Sequence, residues 1–319
     1  MLTNLIKGLK ENPRKIVFTE GHDPRILEAT RRIASDGYLT PILVGNVDEV
    51  KAIAKERGFN IDSVEILDPK TYPEMDQMVE KMVELRKGKM TREQCAEALL
   101  KGNYFGTMLV KMEKADALLG GATYSTADTV RPALQLIKTK PGNKIVSSSF
   151  IMVRDEEMLC MGDCAINIEP TEDDLVEIAI ESAKTAEAFG IDPKVAMLSY
   201  STKGSGSGDS VDKVRNATEK IIAQAPDLAV DGELQFDAAV SPVVAETKCK
   251  GSKVAGQANT FVFPDINAGN IGYKIAQRLG GFDAFGPVLQ GLNAPINDLS
   301  RGCNAEEVYT MAIITAGLK

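Results

Sequence analysis

Ser300 and Arg301 stand side by side in the run Asn297-Asp298-Leu299-Ser300-Arg301-Gly302-Cys303, where Gly302 marks a turn that lets the hydroxyl reach a cleft. A serine nucleophile needs a base, yet the chain holds a single histidine, His22, and no Gly-x-Ser-x-Gly elbow surrounds Ser300. The same hydroxyl can also simply cap the helix that follows. A second chemistry-bearing stretch, residues 254–273, pairs the apolar alternation 260–263 with the polar turn Asp265-Ile266-Asn267-Ala268-Gly269-Asn270. Small residues there let backbone amides approach a ligand, and residues 271–279 read as a helix whose N-terminus favours an anion.

Other groups invite chemistry and have simpler readings. The five cysteines, Cys95, Cys160, Cys164, Cys249 and Cys303, contain no CxxC pair and too few companion ligands for zinc, so no metal site is expected and the thiols read as reduced. Cys164 and Cys303 lack a histidine close in sequence to lower a thiol pKa, which favours small cleft or core residues over nucleophiles. The acidic run 169–174 suits the start of a helix better than magnesium. Asp231, Glu233 and Asp237 either line a cleft or fix its loops. No Walker A sequence is present.

The positioning elements alternate. Strand-like stretches 14–20, 40–44, 64–67 and 115–119 interleave with helical patterns over 24–36, 47–58, 72–88 and 91–101, which is βαβ logic. Residues 124–130 form a polar loop leading from Gly120-Gly121 into a helix, with Arg131 before Pro132. A second alternation places strands at 145–153, 195–200, 228–230 and 260–263, with helices at 171–189, 211–224 and 271–278. A last helix spans 305–316. Thr171 and Asp174 read as the cap of the long helix. The glycine-serine run 203–209 lies between a strand and a helix, and reads as a mobile ligand-facing loop. The fold class is α/β, with parallel-rich sheets.

Composition bounds the rest. With 319 residues, 44% of them hydrophobic, two domains are expected. A formal charge of -8 with both signs interspersed argues against a nucleic-acid face. No apolar run reaches membrane-spanning length, and residues 1–7 lack a signal-peptide core, so a cytoplasmic protein without membrane partners is expected.

The two opening stretches, with Gly120-Gly121-Ala122, Asp163-Cys164-Ala165-Ile166-Asn167, Ser199-Tyr200-Ser201-Thr202-Lys203-Gly204-Ser205 and residues 231–239 in the same order, resemble the phosphate acetyltransferase family over essentially the whole chain. The resemblance implies reversible acetyl transfer between coenzyme A and phosphate by direct attack in a ternary complex. CoA, acetyl-CoA, phosphate and acetyl phosphate are then substrates, and no tightly bound cofactor is implied. It also implies two three-layer α/β/α domains, 1–143 plus 297–319 and 144–296, with the active-site cleft between them, an architecture related to the isocitrate/isopropylmalate dehydrogenases. A cytoplasmic homodimer is implied too, for which the apolar stretch 308–314 is a candidate contributor.

By the same resemblance Ser300 and Arg301 stabilise the transition state, and Glu307 stands where the family carries its catalytic aspartate, with Glu306 beside it. Arg86, Arg131, Arg278, Tyr273, Asn267, Ser125, Thr126, Cys164 and Cys303 fall in or near the substrate site. The alternatives are a phosphate butyryltransferase, a dehydrogenase-like oxidoreductase for which metal and nicotinamide motifs are lacking, and a noncatalytic acyl-CoA or acetyl phosphate sensor.

Overall fold

The computed structural model describes residues 2–318; Met1 and Lys319, both inside the expected first domain, lie outside the described residues. The chain divides into two compact units, one of residues 2–141 with 292–318 and one of residues 142–291.

The first unit opens with α1 (Thr3–Glu11), β1 (Arg14–Phe18), α2 (Pro24–Asp36), β2 (Leu39–Val44), α3 (Val47–Arg57) and β3 (Glu65–Leu67). Three consecutive helices follow, α4 (Met75–Arg86), α5 (Arg92–Leu99) and α6 (Gly102–Lys111), then β4 (Ala117–Gly120) and α7 (Thr126–Pro132), which runs into a π-helical turn, Ala133–Ile137. Local chemistry sets these limits. Asp23 caps α2 by accepting from the Arg25 amide at 2.8 Å, Pro24 takes the first helical position, and Gly37 ends the helix at a left-handed φ of 77°. The α6 helix escapes periodicity because Phe105 to Val110 are all buried and no polar face remains. Residues 126–130, expected as part of a polar loop leading into a helix, instead belong to α7 together with Arg131 and Pro132.

The second unit contains β5 (Ser147–Arg154), β6 (Glu157–Gly162), α8 (Glu172–Ala188), β7 (Lys194–Leu198), α9 (Asp209–Gln224), β8 (Ala229–Leu234), α10 (Phe236–Val240), α11 (Pro242–Lys248), β9 (Thr260–Val262), α12 (Ile266–Arg278) and β10 (Asp283–Gln290). The chain then adds β11 (Ile296–Asp298) and α13 (Ala305–Gly317) to the first unit, where β11 pairs with β4.

The five-stranded sheet of the first unit has the order β11-β4-β1-β2-β3 and is parallel throughout. The six-stranded sheet of the second, β10-β5-β6-β9-β7-β8, is parallel from β6 to β8 and antiparallel where β10, β5 and β6 meet. This is a mixed α/β fold with parallel-rich sheets. Alternate residues of β7 feed two cores, Ala196 and Leu198 on one face and Val195 and Met197 on the other, as the two-residue period of a doubly covered strand requires.

Two expectations change. The helix after β9 begins at Ile266, not Ile271, since Asp265 caps it by accepting from the Ala268 amide at 2.9 Å. Residues 266–270 are therefore the first turns of α12. The stretch 308–314, a candidate for a dimer surface, lies almost wholly in the first unit's core: Val308 and Thr310 to Ile314 are buried within this single chain.

Candidate active site

Sheet order alone singles out one place in the first unit. The chain steps from β1 outward to β2 and β3, then returns to the other side of β1 with β4, so the β1/β4 boundary is a topological switch point. Loops leaving the carboxyl ends of strands part there and open a crevice. Three segments meet at this edge: Thr19 to Arg25 after β1, Gly121 to Thr126 after β4, and Leu299 to Cys303 after β11.

Backbone and side-chain bonds lock them together. The Leu299 amide donates to the Gly120 carbonyl at 2.7 Å, and the Cys303 amide to the Ser300 carbonyl at 2.9 Å, closing a tight turn. Arg25, held by both oxygens of Asp23, donates to the carbonyls of Arg301 at 2.8 Å, Cys303 at 3.1 Å and Ala122 at 2.9 Å. Buried Glu20 accepts from the Gly121 amide at 3.1 Å and the Thr123 amide at 2.6 Å. Asp298 is also buried and accepts from the Thr126 hydroxyl at 2.7 Å. This framework leaves Ser300 and Arg301 exposed, and the Ser300 hydroxyl accepts from the Gly302 amide at 3.3 Å.

The structure brings Ser300, Arg301, Cys303, Ser125 and Thr126 to this one edge. Ser125 opens α7, its hydroxyl donating to Asp128 at 2.7 Å, while Thr126 is exposed and bound to Asp298. Cys303 is buried and its thiol pKa is pushed up to about 11 by burial, which keeps it protonated at neutral pH. Arg131, further along α7, is exposed. Arg86 closes α4, reaching the Gln135 carbonyl at 3.5 Å while its buried Nε has no hydrogen-bond partner among the described residues. Glu307 sits in a capping box: its amide donates to Asn304 Oδ1 at 2.9 Å, and its carboxylate accepts from the Asn304 amide at 3.3 Å. Glu306 pairs with Arg32. His22 is exposed in the turn between β1 and α2.

In the second unit, Cys164, Asn267, Tyr273 and Arg278 gather around the carboxyl end of β6 and along α12. Buried Asp163 organises the loop by accepting from the amides of Ala165, Ile166 and Asn167 at 3.0, 3.2 and 2.9 Å and from the Ser148 hydroxyl. Cys164 is buried, and burial drives its thiol pKa well above the ordinary value. Its carbonyl accepts from Asn270 at 3.0 Å, and Asn267 is exposed in the first turn of α12. Tyr273 stacks on Phe150 with ring centroids 4.0 Å apart, and burial raises its phenol pKa while Arg278 opposes the shift.

The loop 203–209, expected to be mobile and ligand-facing, is tied down. The Gly204 amide donates to buried Glu233 at 2.7 Å, the Gly206 amide to Ser201 at 2.9 Å, and Tyr200 to the Ser207 carbonyl at 2.6 Å. Lys203 meets Asp231. The acidic run serves as a cap, with Thr171 and Asp174 in a reciprocal box and Lys220 against Glu172 and Asp173.

Comparison with known proteins decides the kinship. The family described as phosphate acetyl/butaryl transferase matches residues 1–316. The chain belongs to that family. It is 59% identical over 302 residues to a phosphate acetyltransferase from Bacillus subtilis, covering 95% of this chain and 94% of that one. Among solved structures, a phosphotransacetylase from Streptococcus pyogenes aligns with a TM-score of 0.95 at 55% identity, covering 98% of this chain and 97% of that one. The EutD phosphotransacetylase from Staphylococcus aureus aligns at 0.92 with 52% identity over 99% and 98% of the two chains.

Within this phosphate acetyl/butaryl transferase chain, sequence reasoning missed four groups that build the Ser300 turn: Glu20, Asp23, Arg25 and Asp298. Asp298 lay inside the quoted run beside Ser300, and Asp23-Pro24-Arg25 carried the signal of a capped helix start. Their contacts link residues up to 278 positions apart, which no local pattern encodes.

Proposed function

We propose that this protein is a phosphate acetyltransferase, moving an acetyl group reversibly between CoA and inorganic phosphate. The observation that carries the reading is an exposed Ser300-Arg301 turn at a switch point, in a chain whose near relatives at 52–59% identity are named phosphate acetyltransferases. In the direction that forms acetyl-CoA, the thiol of CoA gives its proton to a base. The thiolate attacks the carbonyl carbon of acetyl phosphate, and the bond from that carbon to the phosphate oxygen breaks. In reverse, a phosphate oxygen attacks the thioester, the carbon–sulfur bond breaks, and the departing sulfur takes up a proton.

Ser300 and Arg301 are assigned to the developing oxyanion and the phosphoryl group, and Glu307 to the proton. Glu307 is exposed and its cap contacts at 3.3 and 3.5 Å are long, so its carboxylate can exchange them for a thiol proton. Arg86, Arg131, Arg278, Ser125, Thr126, Asn267 and Tyr273 are assigned to binding the two substrates, with Cys164 and Cys303 as non-nucleophilic neighbours. Planar guanidinium groups suit the phosphates of CoA. Covalent transfer through either cysteine is disfavoured by their raised thiol pKa values. A cytoplasmic homodimer completes the reading, in keeping with five unpaired cysteines.

The test is release of free thiol from acetyl-CoA with and without phosphate, with butyryl-CoA as competitor. Phosphate-dependent release that prefers acetyl and falls about 10²–10³-fold in Ser300→Ala and Arg301→Ala is expected. CoA binding without phosphate-dependent release would mean a sensor.

A further inference from the structure

Asp298 has a role that the transfer chemistry above does not use. It ends β11 two residues before Ser300, is 2% exposed, and touches the segment after β4 at Thr126 and Gly121. One oxygen, Oδ2, accepts from the Thr126 hydroxyl, while Oδ1 is buried with no hydrogen-bond partner among the described residues. A Cβ on Gly121 would fall on Oδ1, so this position, at a left-handed φ of 97°, admits only glycine beside the carboxyl. The charged groups that bear on it are Glu20, which follows β1, and Arg301 from its own segment. Glu20 is saturated by Thr19, Gly121 and Thr123. Asp128 of α7 is turned to Ser125, and Arg25 of α2 is paired with Asp23. The buried hydroxyl of Thr129 on α7, which has no hydrogen-bond partner within ordinary distance among the described residues, also favours the ionised form.

We propose that Asp298 is a positioning residue, an ionised latch that holds the Ser300-Arg301 turn against Thr126 through its hydrogen bond to that hydroxyl and its attraction for the Arg301 guanidinium. This deepens the acetyltransferase reading and rests on it for the roles of Ser300 and Arg301. Burial lifts the Asp298 pKa from the ordinary 3.8 to about 6, with Thr126 pulling the other way. The latch is therefore charged at neutral pH and released on mild acidification. Because the folded-state value lies above the unfolded one, Asp298 lends stability below pH 3.8 and loses it as pH rises through about 6. The charge that orders the turn thus opposes global stability, a combination that an ordinary structural carboxylate would not give.

Three readouts on the full chain test this. Turnover in Asp298→Asn should fall on the order of 10–100-fold in kcat with little change in the phosphate KM, and the acid limb near pH 6 should vanish. Hydrogen exchange in residues 299–304 should quicken in the variant, and in the unaltered chain below pH 6, after correction for intrinsic rates. The melting temperature of the unaltered chain should fall relative to Asp298→Asn between pH 4 and pH 7. If Asp298→Asn does not fold, Thr126→Val serves instead, since loss of that donor should move the acid limb to higher pH. An unchanged acid limb, unchanged exchange, or no relative melting shift would overturn the latch. Absence of phosphate-dependent turnover in the unaltered chain would sink the acetyltransferase reading alone, because exchange and melting read the latch without turnover.

Discussion

Glu307 has one observed contact, its cap, and one proposed role, proton transfer, and a single substitution can separate them. Its amide and carboxylate form the capping box with Asn304, and its carboxylate is the assigned proton acceptor. Glutamine supports the same box but cannot take a proton from a thiol. Glu307→Gln should therefore melt within about a degree of the unaltered chain, since surface changes that keep their contacts usually stay within about 0.5 kcal/mol. Its kcat should drop about 10²–10⁴-fold, the usual contribution of a positioned acid or base. A kcat loss matched by lost melting temperature would assign Glu307 to the cap alone. Asp298 illustrates the complementary case at this scale. Keeping its carboxylate ionised at neutral pH, when its pKa is about 6 against an ordinary 3.8, costs on the order of 3 kcal/mol.

Elements were readable where chemistry repeats locally and unreadable where tertiary packing decides. The α2 helix was anticipated to the residue because Ile26, Leu27, Ala29, Ile33 and Ala34 recur at helical spacing, and in the structure Asp23, Pro24 and Gly37 mark its ends. The α6 helix was missed because its buried run has no polar face, and β6, β10 and β11 were missed because their pairing partners lie far along the chain or on antiparallel neighbours. Ser300 and Arg301 were visible as a turn, whereas Glu20 and Arg25 became site-building residues only when β1 and β4 came together. Gly269 shows how a functional pattern can have a packing cause. It looked like a ligand-facing glycine, yet a Cβ there would fall on the Asp163 carbonyl oxygen, where α12 crosses the loop organised by Asp163. Gly269→Ala should cost about 1–3 kcal/mol by overpacking, measured by thermal or urea unfolding. Gly8→Ala in α1, where open space surrounds the position, should be neutral or gain up to about 1 kcal/mol. Equal effects at both sites would refute the packing account.

At the scale of the molecule, a net charge of -8 offers anionic substrates no general attraction, so the proposed binding rests on local arginines and not on a long-range field. Surface chemistry also bears on assembly. The expected contributor α13 is consumed by its own core, while α12 and the residue that caps its end present Ile271, Ile275 and Leu279 at 57, 54 and 85% exposure. Spaced by four residues, they form one apolar stripe on a helix whose neighbouring positions include Lys274 and Arg278. Contiguous apolar exposure of this kind commonly marks an interaction surface, and a stripe that packs on its own copy about a two-fold axis satisfies both protomers at once. Under that symmetry a single Ile275→Asp change places two carboxylates in one interface, where each meets the other or buried apolar surface. The unaltered chain should sediment as a dimer and Ile275→Asp as a folded monomer, with dissociation becoming easier on dilution. A monomeric unaltered chain would rule out the assembly, and a dimer that survives Ile275→Asp unchanged would place its interface elsewhere.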